Sequence, residues 1–475
     1  MASSRKSPQS NALLAHVTVV LKRHVRRGDR LVAGLSGGVD SVVLLDLLRR
    51  LAKPLGCELA ALHVNHQINP AAGRWASFCR AFCKQHGIPL SVVRVTVPRG
   101  ASFEAAARAA RYRVFAALPA DFIALAHNLD DQAETVMLQL LRGAGVKGLS
   151  AMPEVRMQDS GLRTQQATAK DKKPKKRSFP NPESRLPNPA VLRPLLEVPR
   201  SEIEAYARRR KLKWIEDDSN ADIGFDRNFL RHRVLPVIAQ RYPAYRKTLL
   251  RASRNFAEAA QLLDELAAAD AQMTASGLRV AGLRKLTAPR AKNTLRRFLA
   301  LHGVIMPNAA RLDECVRQLQ MPRAARTSID LGEHELRRYA DELRVVAKAA
   351  VPPRSFCRVW HGESRLRLPE LSGTLVLRKC RGTGISLARL HGRPVTIRVR
   401  RGGERMQPDC HRPRRSLKNL LQEARVPPWQ RVRLPLIYCD EELVWAPGIG
   451  VACAFQASRR EPALRPGWVP YLPCA

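Results

Sequence analysis

Acid is what this chain is short of. It carries 41 Asp and Glu against 82 Lys and Arg, a formal net charge of +41. A surface that basic repels itself unless it meets a polyanion, so nucleic acid is favoured over a membrane surface as partner. Long apolar runs are missing too. No stretch of ~18 such residues occurs, which removes a membrane-spanning helix. The N-terminal "NALLAHVTVVLKRHVRR" is broken by His16 and Thr18 and lacks a small-residue cleavage site, so it reads as an amphipathic helix and not a secretory signal. A cytoplasmic location follows as the expectation. Ten cysteines are present without a CxxC pair, the closest being Cys79 and Cys83 at helical spacing. That pattern predicts buried free thiols in a reducing compartment, not disulfides or zinc ligands. No GK dipeptide exists, which excludes a Walker A loop. No fixed-period repeat is visible.

What is there is enough apolar sequence for a sizeable core: 45% of 475 residues, a length that suggests two to four domains. Between about residues 30 and 145, short apolar runs alternate with helical patterns. "RLVAGL", "ELAALHVNH", "LSVVRVTV" and "DFIALAH" read as strands. "DSVVLLDLLRRL", "GRWASFCRAFCKQHG", "SFEAAARAARYRVFAAL" (Ser102 as N-cap) and "DDQAETVMLQLLRG" read as helices. Such alternation predicts a doubly wound parallel sheet covered on both faces, with ligands at the carboxyl ends of its strands. Polar clusters fall there: Ser36–Ser41, His63–His66 and His127–Glu134. Residues 158–199 form a basic, Pro-rich insertion and linker containing "KDKKPKKRSFPNPESRLPNP". The rest divides into a mainly helical region over 200–350, with shorter helical patterns after 303, and a small α+β domain over 356–475. The first domain is placed at 1–157.

The most informative stretch is "LVAGLSGGVDSVVLLDLL", residues 31–48. A strand, a glycine pair and a helix start together offer free backbone N–H groups and the positive end of a helix dipole, which suits an anion. Glycine lets the backbone approach phosphate oxygens without a Cβ. Ser36, Gly37, Gly38, Val39, Asp40 and Ser41 form this loop. A tight turn with no ligand is the plain alternative.

"SGGVDS" after a strand resembles the pyrophosphate loop of the N-type ATP pyrophosphatases, an adenine nucleotide alpha hydrolase-like PP-loop domain. Four further segments resemble the tRNA(Ile)-lysidine synthetases of that superfamily: "LHVNHQI", "EAAARAARY", "AHNLDDQAETVMLQLLRGAG" and "DDSNADIGFDRNFLRHRVLP". So do "RPLLEVPRSEIEAYA" and the C-terminal "RRGGERMQPDCHRPRRSLKNLLQEARVPPWQRVRLPLIYCDEELVWAPGIG". The resemblance runs from about 28 to 455. Asn128 departs from it where a second His is common, and Gln67 where Gly is common.

This resemblance implies a reaction. The 2-oxygen of the wobble cytidine in the CAU anticodon of tRNA(Ile) is adenylated by ATP, and the ε-amine of free L-lysine then displaces AMP. It also implies roles. Ser36 to Ser41 and His63 would bind ATP; Asp131 and Glu134 would bind lysine; Asp40, Arg111 and Asp130 would be catalytic, with Asp40 as a Mg²⁺ ligand. Arg227, Asn228, Arg231, Arg401, Arg414 and Arg415 would meet tRNA. No membrane is involved, and a homodimer is compatible with the reading. Alternatives stay open residue by residue. Asp40 is equally a helix-start acid. The acids of Asp130–Glu134 could simply complement a helix dipole. Arg108 and Arg111 could pair with Glu104, and His63 and His66 could be structural. Two other functions compete: a tRNA 2-thiolase of the same superfamily, and a non-catalytic RNA-binding protein.

Overall fold

Parallel strands do form where the alternation placed them. In this computed structural model the described residues are 8–67, 69–96, 103–157, 188–217, 221–321, 328–348 and 350–471. The Lys/Pro-rich arm and Ser102 lie outside them. The chain divides into two compact units, Met1–Leu266 and Ala267–Ala475.

The first unit holds a six-stranded sheet with strands β1 Arg30–Gly34, β2 Glu58–Asn65, β3 Leu90–Arg94, β4 Phe122–Ala124, β5 Val155–Arg156 and β6 Ala190–Leu192. Their spatial order is β3-β2-β1-β4-β6-β5. All neighbours are parallel except the edge strand β5. Strands β5 and β6 were not anticipated: at two and three residues they are too short to show a period. The helices are α1 Pro8–His24, α2 Val39–Leu55, α3 Ala72–Gln85, α4 Phe103–Ala116, α5 Leu129–Leu141, α6 Val146–Leu149, α7 Arg200–Arg209, α8 Asp226–Phe229, α9 Leu235–Arg241 and α10 Tyr245–Asp270.

Alternation along β1 decides the layers. Leu31 and Ala33 face a core shared with α1, α2, α3 and α7, while Val32 faces a second core with Phe115 and Tyr112 of α4. Leu44, Leu45 and Leu47 of α2 are wholly buried, each contributing ~1.5–3 kcal/mol. Helix α2 stops at Gly56, whose φ of 68° lets its N–H reach the carbonyls of Ala52 and Lys53. A polar clamp fixes α7 on α2. Asp46, 1% exposed, accepts from Tyr206 Oη at 2.7 Å and Arg49 at 2.8 Å. Burial opposes its charge, but those two bonds and Arg210 hold the carboxyl below its ordinary range.

In the second unit, residues 303–355 depart from the helical reading. Helix Ala309–Gln320 is present, but an antiparallel sheet contains Leu278–Arg279, Ser328–Asp330, His334–Tyr339 and Glu342–Ala347. Tyr339 pairs with Glu342 across Ala340, which has φ 52°. Leu336 and Leu343 point inward seven residues apart, a spacing that helix and hairpin share. A separate core follows within 356–470, between a five-stranded and a four-stranded antiparallel sheet. Here the cysteine expectation is corrected. Cys410 and Cys453 form a disulfide, their Cα atoms 5.4 Å apart. They lie 43 residues apart in sequence, so no local motif announces them. Cys79 and Cys83 are buried free thiols, as expected.

Candidate active site

The loop after β1 is held open by its own side chains. Ser41 Oγ accepts from the N–H of Ser36 and of Gly37, each at 3.2 Å, and donates to the Gly38 carbonyl at 2.9 Å. Gly37 has φ 96°, and a Cβ there would lie 2.7 Å from Ile215 Cδ1. Gly38 is different: a Cβ would meet only Ser36 Oγ, at 3.6 Å. One glycine is therefore demanded by the fold, and the other leaves room above the start of α2. No side chain caps α2 at Gly38, so its first N–H groups remain available to an anion.

His63 supports this loop from beneath. It is buried, with Nδ1 2.8 Å from the Leu35 carbonyl and 3.6 Å from Cys79 Sγ. Burial lowers its pKa, so the ring is neutral, with Nδ1–H donating to Leu35.

Asp40, in the first turn of α2, is half-buried. Burial raises its pKa to about 6; Asp131 adds to the rise, and Arg200, Arg231 and a bond from Asn128 resist it. That bond, Asn128 Nδ2 to Asp40 Oδ1, is 3.2 Å long. Asn128 also caps α5. Its Oδ1 accepts from Asp131 N at 3.0 Å, and Asp131 Oδ2 accepts from Asn128 N at 3.1 Å. The departure from His at this position thus has a physical role: one amide ties the phosphate loop to the acid cluster.

The acids on α5 are not bare. Glu134, 1% exposed, accepts from Arg231 Nε at 2.6 Å and Nη2 at 3.0 Å, with Arg227 Nε at 3.1 Å. Burial pushes its carboxyl up, against the pull of Arg231. Asp131 meets Arg231 at 3.4 Å. Asp130 accepts from the N–H of Arg200 at 2.9 Å and from Arg246 at 2.5 Å, which ties α5 to α7 and α10. Arg231 lies on a π-helical turn, Leu230–Val234, a feature frequent at functional sites. Arg227 and Arg231, expected as tRNA contacts, thus face inward against the acids. Asn228 is buried and donates to the Asp222 carbonyl at 2.8 Å.

A second charged cluster lies on the α4 side of the sheet. Arg193, 1% exposed, directly follows β6 and donates to the Pro153 carbonyl at 2.8 Å, while its buried Nε meets no acceptor. It bonds Tyr112, whose ring also lies 5.1 Å from Arg108. The four largest charge effects on His127 all come from arginines: 193, 227, 108 and 111. With burial they press its pKa to about 3. Arg111, reachable by solvent, feels Arg108 most among charges. Sequence reasoning missed Arg193. The available signal was an arginine placed directly after a fully apolar strand end.

The remaining expected contacts are in the second unit. Arg401 donates to the Arg354 carbonyl at 3.2 Å, Arg414 is exposed, and Arg415 is ion-paired with Glu423. Among the described residues no group of three metal-ligating side chains occurs, and no helix is long and apolar enough to cross a membrane.

The chain is similar to known proteins over most of its length. A PP-loop domain model covers residues 12–238, a TilS substrate binding domain model 278–344, and a TilS substrate C-terminal domain model 395–468. The tRNA(Ile)-lysidine synthase of Nitrosomonas europaea is 45% identical over 95% of this chain and 94% of its own length. Those of Azoarcus sp. (strain BH72) and Coxiella burnetii are 40% and 36% identical, over 93% and 90% of this chain and 92% and 90% of theirs.

Proposed function

The chain belongs to the tRNA(Ile)-lysidine synthase family, and on that premise we propose that it ligates lysine to carbon 2 of the wobble cytidine of tRNA(Ile), at the expense of ATP. The observation that carries this reading is the amide of Asn128, which couples Asp40 beside the phosphate loop to Asp131 in the acid cluster. Nucleotide and amine sites are thereby adjacent at the ends of β1 and β4.

The first step joins the cytidine O2 to the α-phosphorus and expels diphosphate. The Ser36–Ser41 loop takes the leaving charge through the uncapped N–H groups at the start of α2. Arg111, with Arg108 beside it and Arg193 beneath, stabilises the α-phosphoryl oxygens. In the second step the lysine ε-amine attacks carbon 2, AMP departs with O2, and the amine loses a proton. Asp131 is the acid best suited to the substrate ammonium, because it is half-open and meets one arginine at long range. Glu134 is already neutralised by Arg231 and Arg227, and so orders that wall. Asp130 fixes the frame through Arg246 and α7.

A Mg²⁺ ion fits these residues. Asp40 is a lone carboxylate at the loop, held half-protonated near pH 6, and Mg²⁺ commonly takes one carboxylate with substrate phosphates. When bound, the ion would neutralise phosphate charge. Residues 200–350 and 356–475 would hold the remainder of the tRNA, since a site gripping one base cannot also span a whole tRNA.

The thiolase alternative is disfavoured by the thiols themselves. Burial raises Cys79 to about 12 and Cys83 to about 11, so neither supplies a thiolate. Diphosphate release that requires the tRNA and turns over only with lysine tests the proposal; without lysine it should stop at about one equivalent per enzyme-bound tRNA, and continued turnover without lysine would defeat it.

A further inference from the structure

The alternation that sorts the sheet's two cores also sorts the residues just past its strand ends. Along β4, Ile123 and Leu125 join the core under α4, while Phe122 and Ala124 join the other. Along β6, Val191 joins the α4 core and Leu192 the other; along β2, Leu62 and Val64 join the α4 core. The same period, carried past the strand ends, sends His66, His127 and Arg193 to the α4 side. Electrostatics agree. Arg193 bonds Tyr112 of α4, His66 feels Arg111 most among charges, and Arg108 and Arg111 both act on His127. The turn that carries His66 is fixed as well. Gln67 takes φ 56°, a left-handed value for which glycine is usual, and its N–H donates to Asn65 Oδ1 at 2.8 Å.

Three ring nitrogens at these strand ends are buried without a hydrogen-bond partner among the described residues: Nδ1 and Nε2 of His66 and Nδ1 of His127. Buried polar groups are rarely left so. Burial and the neighbouring arginines keep both rings neutral, and a neutral imidazole has one acceptor nitrogen. A phosphate presents only acceptors and cannot satisfy that lone pair; an N–H donor is needed. Strands β2 and β4 flank β1, so the two imidazoles stand on either side of the phosphate loop. Their strands lie two spacings apart, roughly 9.5 Å, which leaves room for one planar ring. The proposed reaction bonds cytidine O2 to the α-phosphorus, so the base must lie beside the arginines of α4 that meet that phosphoryl group. The polar edge it has left carries an amine with two N–H groups.

We propose that the unpartnered ring nitrogens of His66 and His127 accept from the N4 amine of the wobble cytosine, and so distinguish it from uracil, which offers an oxygen acceptor at the same place. As O2 attacks, positive charge spreads onto N4 and these bonds strengthen, so the reading acts on the rate as well as on binding. The inference rests on the function proposed above for the identity of the base. The chemistry recognised, an aromatic amine, is shared by the adenine of ATP.

The test uses the full chain and an anticodon stem-loop RNA with either cytidine or pyrimidin-2-one riboside, which lacks the amine, at the wobble position. RNA binding is measured for the wild type, His66→Leu and His127→Leu. Binding of ATP and of inosine triphosphate, whose purine lacks the amine, and the melting temperature are measured alongside. The wild type should prefer the cytidine RNA about tenfold or more, and each leucine variant should narrow the preference to about threefold. ATP binding should stay within about twofold, and each variant should melt at or above the wild-type temperature, because a buried nitrogen without a partner has been removed. An equal preference in wild type and variants, or a lowered melting temperature with the loss, would overturn the proposal. So would variants that keep the cytidine preference and lose that for ATP over inosine triphosphate, since the nitrogens would then hold adenine. A wild-type chain that selects the cytidine RNA yet forms no lysidine would defeat the proposed function and leave this pocket standing.

Discussion

Replacing Asp40 by Asn should make the enzyme inactive and more stable at once. The carboxyl titrates at about 6 in the folded chain against a reference of 3.8. Its folded pKa is raised, so ionised Asp40 costs stability above both values and costs nothing when protonated in both states. About 2.2 pH units at 1.36 kcal/mol each give ~3 kcal/mol of cost at pH 8. About half of that remains at pH 5, and it vanishes as pH falls past 4. Asp40→Asn removes the charge, and its Oδ1 can still accept from Asn128. The variant should therefore melt on the order of 5 °C higher at pH 8, with the gain roughly halved at pH 5. Thermal melts at the two pH values, with adenylation of tRNA on the same preparations, make the check. A variant destabilised at both pH values, or one gaining equally at both, would refute the burial argument. Full adenylation activity would refute the role.

Four further outcomes follow from the same geometry. Gly37→Ala should cost ~1–2 kcal/mol for its left-handed backbone, and more for the contact with Ile215, while Gly38→Ala should melt normally yet bind ATP weakly; equal melting of the two would contradict the contact distances. Asp131→Asn should raise the KM for lysine at least tenfold and leave the KM for ATP within twofold, and parallel changes in both would point to a structural role. Arg231→Met strands Glu134 with Arg227 alone and should destabilise by about 3 kcal/mol, read from denaturant melts; a wild-type midpoint would mean that the pair is inconsequential. Deleting residues 168–178 should weaken tRNA binding and flatten its salt dependence without touching ATP or lysine binding, and an unchanged slope would make the arm idle.

The parallel sheet and its phosphate loop were legible because their signals are local. A strand, two glycines and a helix start lie within "LVAGLSGGVDSVV", and each residue's conformational demand can be read from its neighbours. The acid cluster was legible for the same reason, since Asp130, Asp131 and Glu134 share one helix end. What neutralises it was not. Arg231 meets Glu134 across 97 residues and Arg246 meets Asp130 across 116, and nothing local marks those arginines as inward-facing in a chain with 82 basic residues. The Cys410–Cys453 bond and the short strands flanking the basic insertion escaped for related reasons. One is a long-range pairing, and the others are too brief for periodicity. Asn128 shows the reverse case: read as the loss of an imidazole, its amide bonds Asp40 and caps the helix that carries Asp131.

The most direct measurement supplies purified protein with an unmodified tRNA(Ile) transcript bearing CAU, ATP, Mg²⁺ and isotopically labelled L-lysine, and then digests the RNA to nucleosides. One lysine per tRNA is expected, attached at the wobble cytidine, with AMP and diphosphate formed in equal amounts and with incorporation at low lysine slowed about tenfold or more when Asp131 is Asn. Diphosphate release without label in the RNA, or label at another nucleoside, would contradict lysidine formation by this site.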